Sequence, residues 1–277
     1  MRDFIVLAGV RTLLLAESIK KVFRAFENKG RQSSFTAGCK LIGVSGLSVS
    51  EWIYQQKCIR LSQLDLFCSA EYFTKKVSGF EWEKPLPDTK VYLAAHMGCH
   101  HDLVAAIIHK HTEPMQFFVP ILPTDVHGKR ARNMERLSVF GHAIEIGSSN
   151  DPKFILRMIK TCKRNSNAKV IIFIDLPRIT SGQSINKECN LFGRKGTIIS
   201  GHIDIISALK ADSCLLSSNF CQGKPNKIRC SEVFYFDEPN LFESIKSEME
   251  EQILSSPINW KYLDKVEFYY HNYTRST

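Results

Sequence analysis

The chain has 277 residues, of which 44% are hydrophobic and 23% charged, an ordinary globular composition that excludes disordered and fibrous classes. Its formal net charge is +9, which suits nucleic acid, an anionic membrane face or an acidic partner. No zinc-finger spacing and no basic-aromatic strand of the RNA-binding type accompanies that charge, so nucleic acid is excluded as the expected partner. The nine cysteines are scattered without a CxxC pair and read as buried, reduced thiols of a cytoplasmic protein.

Residues 4–28 read as a helix with apolar positions three and four apart, ended by Gly30. The apolar run from Phe4 to Ala16, broken by Arg11, is shorter than the about 20 residues a bilayer span needs. Lys20, Lys21, Arg24, Lys29 and Arg31 follow it. An apolar run beside a basic cluster suits either a membrane interface or an ordinary helix with a solvated basic face. Residues 1–35 are therefore expected to form a helical lead-in, and residues 36–277 one domain, since no proline-rich or glycine-serine linker divides them.

Further helices are expected over 48–56 and 62–76, and Pro85 and Pro87 mark a loop. A strand over 90–95 runs into a histidine, a glycine-containing loop and a helix from Asp102 to about 110. Phe117 to Leu122 reads as a buried strand, the basic stretch Lys129–Val139 as helix, and 143–146 as a short strand. Asp151 and Pro152 open a helix to Cys162. Lys169 to Ile174 reads as the strongest strand, and its apolar run from Val170 onward is the mark of a central strand covered on both faces. A loop is expected to Gly196, a helix to about 211, strands over 214–220 and 233–236, and a closing helix over 241–254. Strands alternating with helices predict an α/β fold, with a central mixed, largely parallel sheet flanked by helices.

In such sheets, sites form beyond the carboxyl ends of strands. His96 follows one expected strand and Asp175 another, which points to a shared cleft. A histidine there can take a proton from a hydroxyl, and a carboxylate on its far nitrogen would fix the tautomer. Asp102, on the next helix, is the nearest such acid; it could equally cap that helix. A different reading takes His96 with His100 or His101 as metal ligands of a hydrolase, although neither HxHxDH nor HExxH spacing is present.

Five segments in order resemble the lauroyl/myristoyl acyltransferase family of lipid A biosynthesis, within the lysophospholipid acyltransferase-like superfamily. They are Ala95-His96-Met97-Gly98 with Asp102-Leu103; Arg136-Leu137-Ser138-Val139-Phe140-Gly141; Ile172-Phe173-Ile174-Asp175; Leu191-Phe192-Gly193-Arg194-Lys195-Gly196; and Pro257-Ile258-Asn259-Trp260. Together they span residues 90–262. The family usually places four residues between histidine and acid. Here five separate His96 from Asp102, and His101 takes the acid's position, so either the loop has gained a residue or the dyad is altered.

The resemblance implies transfer of a fatty acyl group from a thioester of acyl carrier protein or coenzyme A to an alcohol or amine, with no resident cofactor or metal. His96 would be the general base and Asp102 its orienting acid. Arg136 would polarise carbonyl or anionic oxygen. Asp175 would support the histidine or the acceptor, or else serve as a turn residue before Pro177. His101 and Arg132 would contact substrate, Arg132 within a cluster (Lys129, Arg130, Arg136) suited to phosphate. Phe192 and Gly193 would shape a loop over the cleft. Peripheral attachment to the inner face of the cell membrane is implied as well. A non-catalytic lipid- or carrier-binding protein with a damaged dyad is the remaining alternative.

Overall fold

A computed structural model describes residues 7–16, 29–62, 69–121, 134–177 and 186–270. These form one α/β domain. Its helices are α1 (Lys29–Leu41), α2 (Val49–Ser62), α3 (Ala70–Ser78), α4 (His100–His109), α5 (Pro152–Arg164), α6 (Gly201–Leu209) and α7 (Leu241–Ser255). Its strands are β1 (Glu81–Trp82), β2 (Val91–Ala94), β3 (Gln116–Ile121), β4 (Ala143–Ser148), β5 (Ala168–Phe173), β6 (Asn186–Leu191), β7 (Arg194–Ile199), β8 (Ser213–Asn219) and β9 (Lys227–Cys230). Seven strands form one sheet in the order β1-β9-β8-β2-β5-β3-β4. All neighbours run parallel except β8 and β9.

The apolar runs become central strands because both faces are covered. Along β2, Val91 and Leu93 enter one core with Phe118, Val170 and Leu215, beneath α1, α2 and α5 to α7. Tyr92 and Ala94 point the other way, into a second core with Phe117, Ile171 and Leu216 beneath α3 and α4. Alternation with a period of two thus builds two hydrophobic layers from one strand. Helix α5 begins as its sequence predicts: Asp151 accepts from the Lys153 N–H at 3.0 Å, and Pro152 occupies the first turn.

Several expectations are corrected. Residues 7–16 are helical, but Gly30 ends nothing: α1 starts at Lys29 and runs through it. Its polar, glycine-bearing sequence is a weak helix former. Tertiary contact selects it, since a Cβ on Gly38 would sit 2.0 Å from the Leu263 carbonyl oxygen. The expected division at 35/36 therefore falls inside a helix packed on the domain. The expected helix over 62–76 is α3 alone among the described residues, with Ser69 capping it at the Tyr72 N–H. In the basic stretch Lys129–Val139, Met134 and Glu135 are helical and lead into a 3-10 turn, Arg136–Phe140, while residues 129–133 lie outside the described ones.

The expected loop before Gly196 is a hairpin of β6 and β7, which pair Leu191 with Arg194. Phe192 (φ 47°) and Gly193 (φ 75°) form its two-residue turn, and paired positive φ is the geometry that matches strand twist. The last strand of the sheet is β9 rather than 233–236, where Phe234 makes only an isolated bridge to Ser213. In β9, Ile228 and Cys230 are buried and Lys227 is exposed, an alternation too short to stand out. No described helix is long and apolar enough to cross a membrane.

Candidate functional site

Strands β2 and β5 are parallel neighbours in which Ala94 lies opposite Phe173. Two residues beyond each stand His96 and Asp175, so the register itself sets the two side chains together. Asp175 Oδ1 accepts from His96 Nδ1 at 2.8 Å. Asp175 Oδ2 accepts from the His96 backbone N–H at 2.8 Å and from Trp260 Nε1 at 3.0 Å. The Tyr269 hydroxyl donates to the Asp175 carbonyl oxygen at 2.7 Å. Asp175 is wholly buried, so its carboxylate is held by hydrogen bonds rather than by water. Burial, and then the nearby Asp175 charge, push the Tyr269 phenol well above its ordinary range and keep it a donor.

The turn carrying His96 is held from two sides. Ser218 Oγ donates to the Met97 carbonyl at 3.0 Å. The Gly98 N–H donates to Asn259 and the Lys261 N–H to the His96 carbonyl. Gly98 has φ 50°, and a Cβ there would lie 2.4 Å from the Ser218 carbonyl oxygen. Glycine is required for both conformation and space. The segment Pro257-Ile258-Asn259-Trp260 is therefore part of the site: it braces the histidine's turn and donates to its acid. Sequence reasoning quoted this segment and gave it no role.

The ring of His96 faces a cavity of about 510 Å³. The cavity lies between α5 and α6 and opens over the carboxyl ends of β2, β3, β4 and β5. Ile155 and Ile159 line it from α5, and Ile205 and Ala208 from α6. Ile121, Ile172 and Leu176 complete a largely apolar wall. Such a volume is within the usual range for small-molecule sites. Phe173 packs on His96 with ring centres 4.3 Å apart, and Tyr262 meets it edge-on at 5.3 Å.

The remaining expected residues are distributed as follows. Asp102 does not reach His96. It is wholly buried and pairs with Lys76 Nζ at 2.9 Å, with Asn226 Nδ2 at 3.4 Å. The acid beside the histidine is Asp175, brought there by strand pairing rather than by nearness in the chain. His101 and His100 lie in the first turn of α4 and line the cavity, their rings tilted with centres 4.5 Å apart, and the His100 ring centre is 4.9 Å from that of His96. Arg136 is exposed and does not line the cavity. Arg132 lies outside the described residues.

Phe192 and Gly193 turn the β6–β7 hairpin and are not among the described residues that line this cavity; Phe192 packs 5.9 Å from Trp260. The strand after them brings Ile199 to the cavity. Among the described residues, no three His, Cys, Asp or Glu side chains converge as a metal-binding group. Cys99 is buried beside the histidines, and burial raises its thiol far above the ordinary range, so it is no nucleophile.

A histidine whose Nδ1–H is committed to a carboxylate carries its lone pair on Nε2. It can therefore accept a proton there, and the carboxylate stabilises the imidazolium that results. No protein-family model and no curated protein sequence matches this chain. The likeness to the acyltransferase family accordingly rests on the five segments, and the site's chemistry on the geometry above.

Proposed function

We propose that this protein is an acyltransferase that moves a fatty acyl group from a thioester, carried by acyl carrier protein or coenzyme A, to a hydroxyl of a lipid, glycolipid or metabolite (an amine is the alternative acceptor). The single observation that carries this reading is the His96–Asp175 pair at an apolar cavity. The acyl chain occupies the cavity and sets its carbonyl near His96. Nε2 removes the acceptor's proton as the hydroxyl oxygen attacks the thioester carbon. Collapse of the tetrahedral intermediate breaks the carbon–sulfur bond, and the imidazolium returns its proton to the departing thiolate. No covalent acyl-enzyme is required. Each methylene taken out of water contributes about 0.8 kcal/mol to donor binding.

Attachment to the inner face of a membrane belongs to the same reading. Its support is the net charge of +9 and the exposed Leu13 and Leu15 in the helical residues 7–16.

Release of free thiol from acyl thioesters, with and without candidate acceptors, tests the proposal. His96→Ala should lower transfer by about 10²- to 10⁴-fold while the circular-dichroism spectrum is kept. Undiminished transfer in that variant sinks the reading. Thiol release independent of every acceptor would make the protein a thioesterase. Stoichiometric zinc or iron in active protein would favour the metal-dependent hydrolase instead, and donor binding without turnover would favour a lipid- or carrier-binding protein.

A further inference from the structure

One feature of the cavity wall is out of keeping with its apolar character. His202, in the first turn of α6, lines the cavity and is 3% exposed. No hydrogen bond engages its ring among the described residues; Nδ1 is sealed from solvent without a partner. Its ring neighbour is Phe242, stacked at 6.4 Å, which offers no hydrogen bond. Nδ1 is out of an occupant's reach; the other ring nitrogen, which no described residue engages, is the one an occupant of the cavity can bond. Beside it Gly201 also lines the cavity, and a Cβ there would meet nothing within 4 Å. The helix end thus leaves room for an occupant to approach the imidazole.

The chemistry of that occupant is constrained. Burial holds the imidazole uncharged, pushed down to about 3 from its ordinary value, so it does not recruit an anion. Asp204, in the same turn, also lines the cavity and repels one. The sealed nitrogen leaves a single nitrogen for the occupant, a donor in one tautomer and an acceptor in the other. A hydroxyl satisfies either tautomer; a keto or ester oxygen satisfies only one.

We propose that His202 forms a polar subsite within the acyl cavity that recognises a hydroxyl carried on the chain, so that the protein selects a hydroxylated fatty acyl group over the unsubstituted one. This rests on the acyl-binding role of the cavity proposed above.

The test is displacement of a fluorescent fatty acid by a positional series of monohydroxy fatty acids of one chain length and by the unsubstituted acid. In the wild type, one isomer should bind about tenfold more tightly than the unsubstituted acid, the size expected of one well-made hydrogen bond in a dry site. His202→Phe should abolish that preference, and His202→Gln, which keeps a donor and an acceptor, should restore part of it. Equal binding of every isomer and the plain acid by the wild type overturns the proposal, whether or not the variants fold. A preference surviving in His202→Phe overturns it equally. The measurement needs no turnover. Selective binding by a wild type that transfers no acyl group would therefore remove the transferase reading and leave the subsite standing. Binding selectivity retained in His96→Ala would separate the two residues' roles in the same way.

Discussion

Asp175→Asn changes the site with almost no change of shape. The carboxylate receives three hydrogen bonds, two on Oδ2 and one on Oδ1. An asparagine oxygen can keep the two donors at Oδ2, the His96 backbone N–H and the Trp260 indole. Its amide NH2 then faces His96 Nδ1 and donates where the carboxylate accepted. The ring must move its proton to Nε2, which leaves no lone pair on the side meant to act as base. Loss of a general base lowers the rate by about 10²- to 10⁴-fold.

Stability should fall less. Two bonds to a charged acceptor, worth about 1.5–3 kcal/mol each, become neutral bonds worth about 0.5–1.5, a loss of roughly 2–3 kcal/mol. That is survivable for a domain of ordinary stability. Asp175→Ala, which orphans all three donors, should be far more damaging. The assays are acceptor-dependent thiol release, urea denaturation and ¹⁵N chemical shifts of the His96 ring. Folded Asp175→Asn protein that transfers acyl groups within about tenfold of the wild type, or that keeps the Nδ1–H tautomer, refutes the reasoning.

Asp102→Ala should cost about 3–5 kcal/mol in urea denaturation, because it removes the buried carboxylate 2.9 Å from Lys76 Nζ, whose side chain is 16% exposed, while Asp102→Ala with Lys76→Met should recover much of the loss. Acyl transfer by the folded double variant should be near normal, and a collapse of turnover there would return Asp102 to the catalytic site. Gly98→Ala should lose roughly 2–5 kcal/mol from its positive φ and its contact with the Ser218 backbone, with acyl transfer lost as the His96 turn shifts; wild-type melting would contradict the geometry. Ala208→Phe narrows the cavity between α6 and α5 and should shift donor preference to shorter chains. At about 0.8 kcal/mol per methylene, each excluded carbon lowers kcat/KM by about fourfold, and an unchanged chain-length profile would argue against acyl binding there. His202 adds acid sensitivity: its folded pKa of about 3 lies below its ordinary 6.5, so the unfolded chain takes the proton more readily. Stability from this group is intact above pH 6.5 and declines as pH falls from there towards 3, by at most ~5 kcal/mol, and His202→Phe should flatten that part of the denaturation profile.

The sheet was legible in the sequence wherever a strand is buried on both faces. β2 and β5 announce themselves through the apolar runs Val91–Ala95 and Val170–Ile174, and β8 through the shorter run Cys214–Leu216. Helix α1 and the β6–β7 hairpin gave no such signal. The residues of α1 are mostly polar and include Gly30 and Gly38, and packing against the segment around Leu263 and against Trp52 of α2 makes them a helix. The hairpin reads as Lys-Glu-Cys-Asn and Arg-Lys-Gly-Thr, charged stretches whose pairing depends on the turn at Phe192 and Gly193.

His96 was legible from its place after a strand, and Asp175 from the same logic applied to the next strand. The orienting acid was misassigned to Asp102 because chain proximity pointed to the first turn of α4. That turn faces Lys76 across the other layer of the core. The cavity itself was not legible. Ile155 and Ile159 lie one turn apart on α5, but sequence alone does not distinguish an apolar stripe that meets a core from one that borders open volume.

The placement of the His96–Asp175 pair has a consequence for the loop between His96 and α4, which is one residue longer than in the family that the five segments resemble. If the orienting acid came from α4, one added residue between His96 and the helix would rotate the acid by about 100° around the helix axis and break the pair. With the acid on β5, the pairing of Ala94 with Phe173 fixes both partners before that loop begins. The loop is then free to vary in length, and position 101 can be a histidine without harm to the base. What the loop must keep is Gly98, which alone allows the chain to turn beneath Ser218, and the segment Asn259-Trp260-Lys261, which binds the turn and the acid together. Tolerance of a one-residue deletion between Cys99 and Asp102, with loss of activity on any lengthening between Ala94 and His96, is the pattern this arrangement requires.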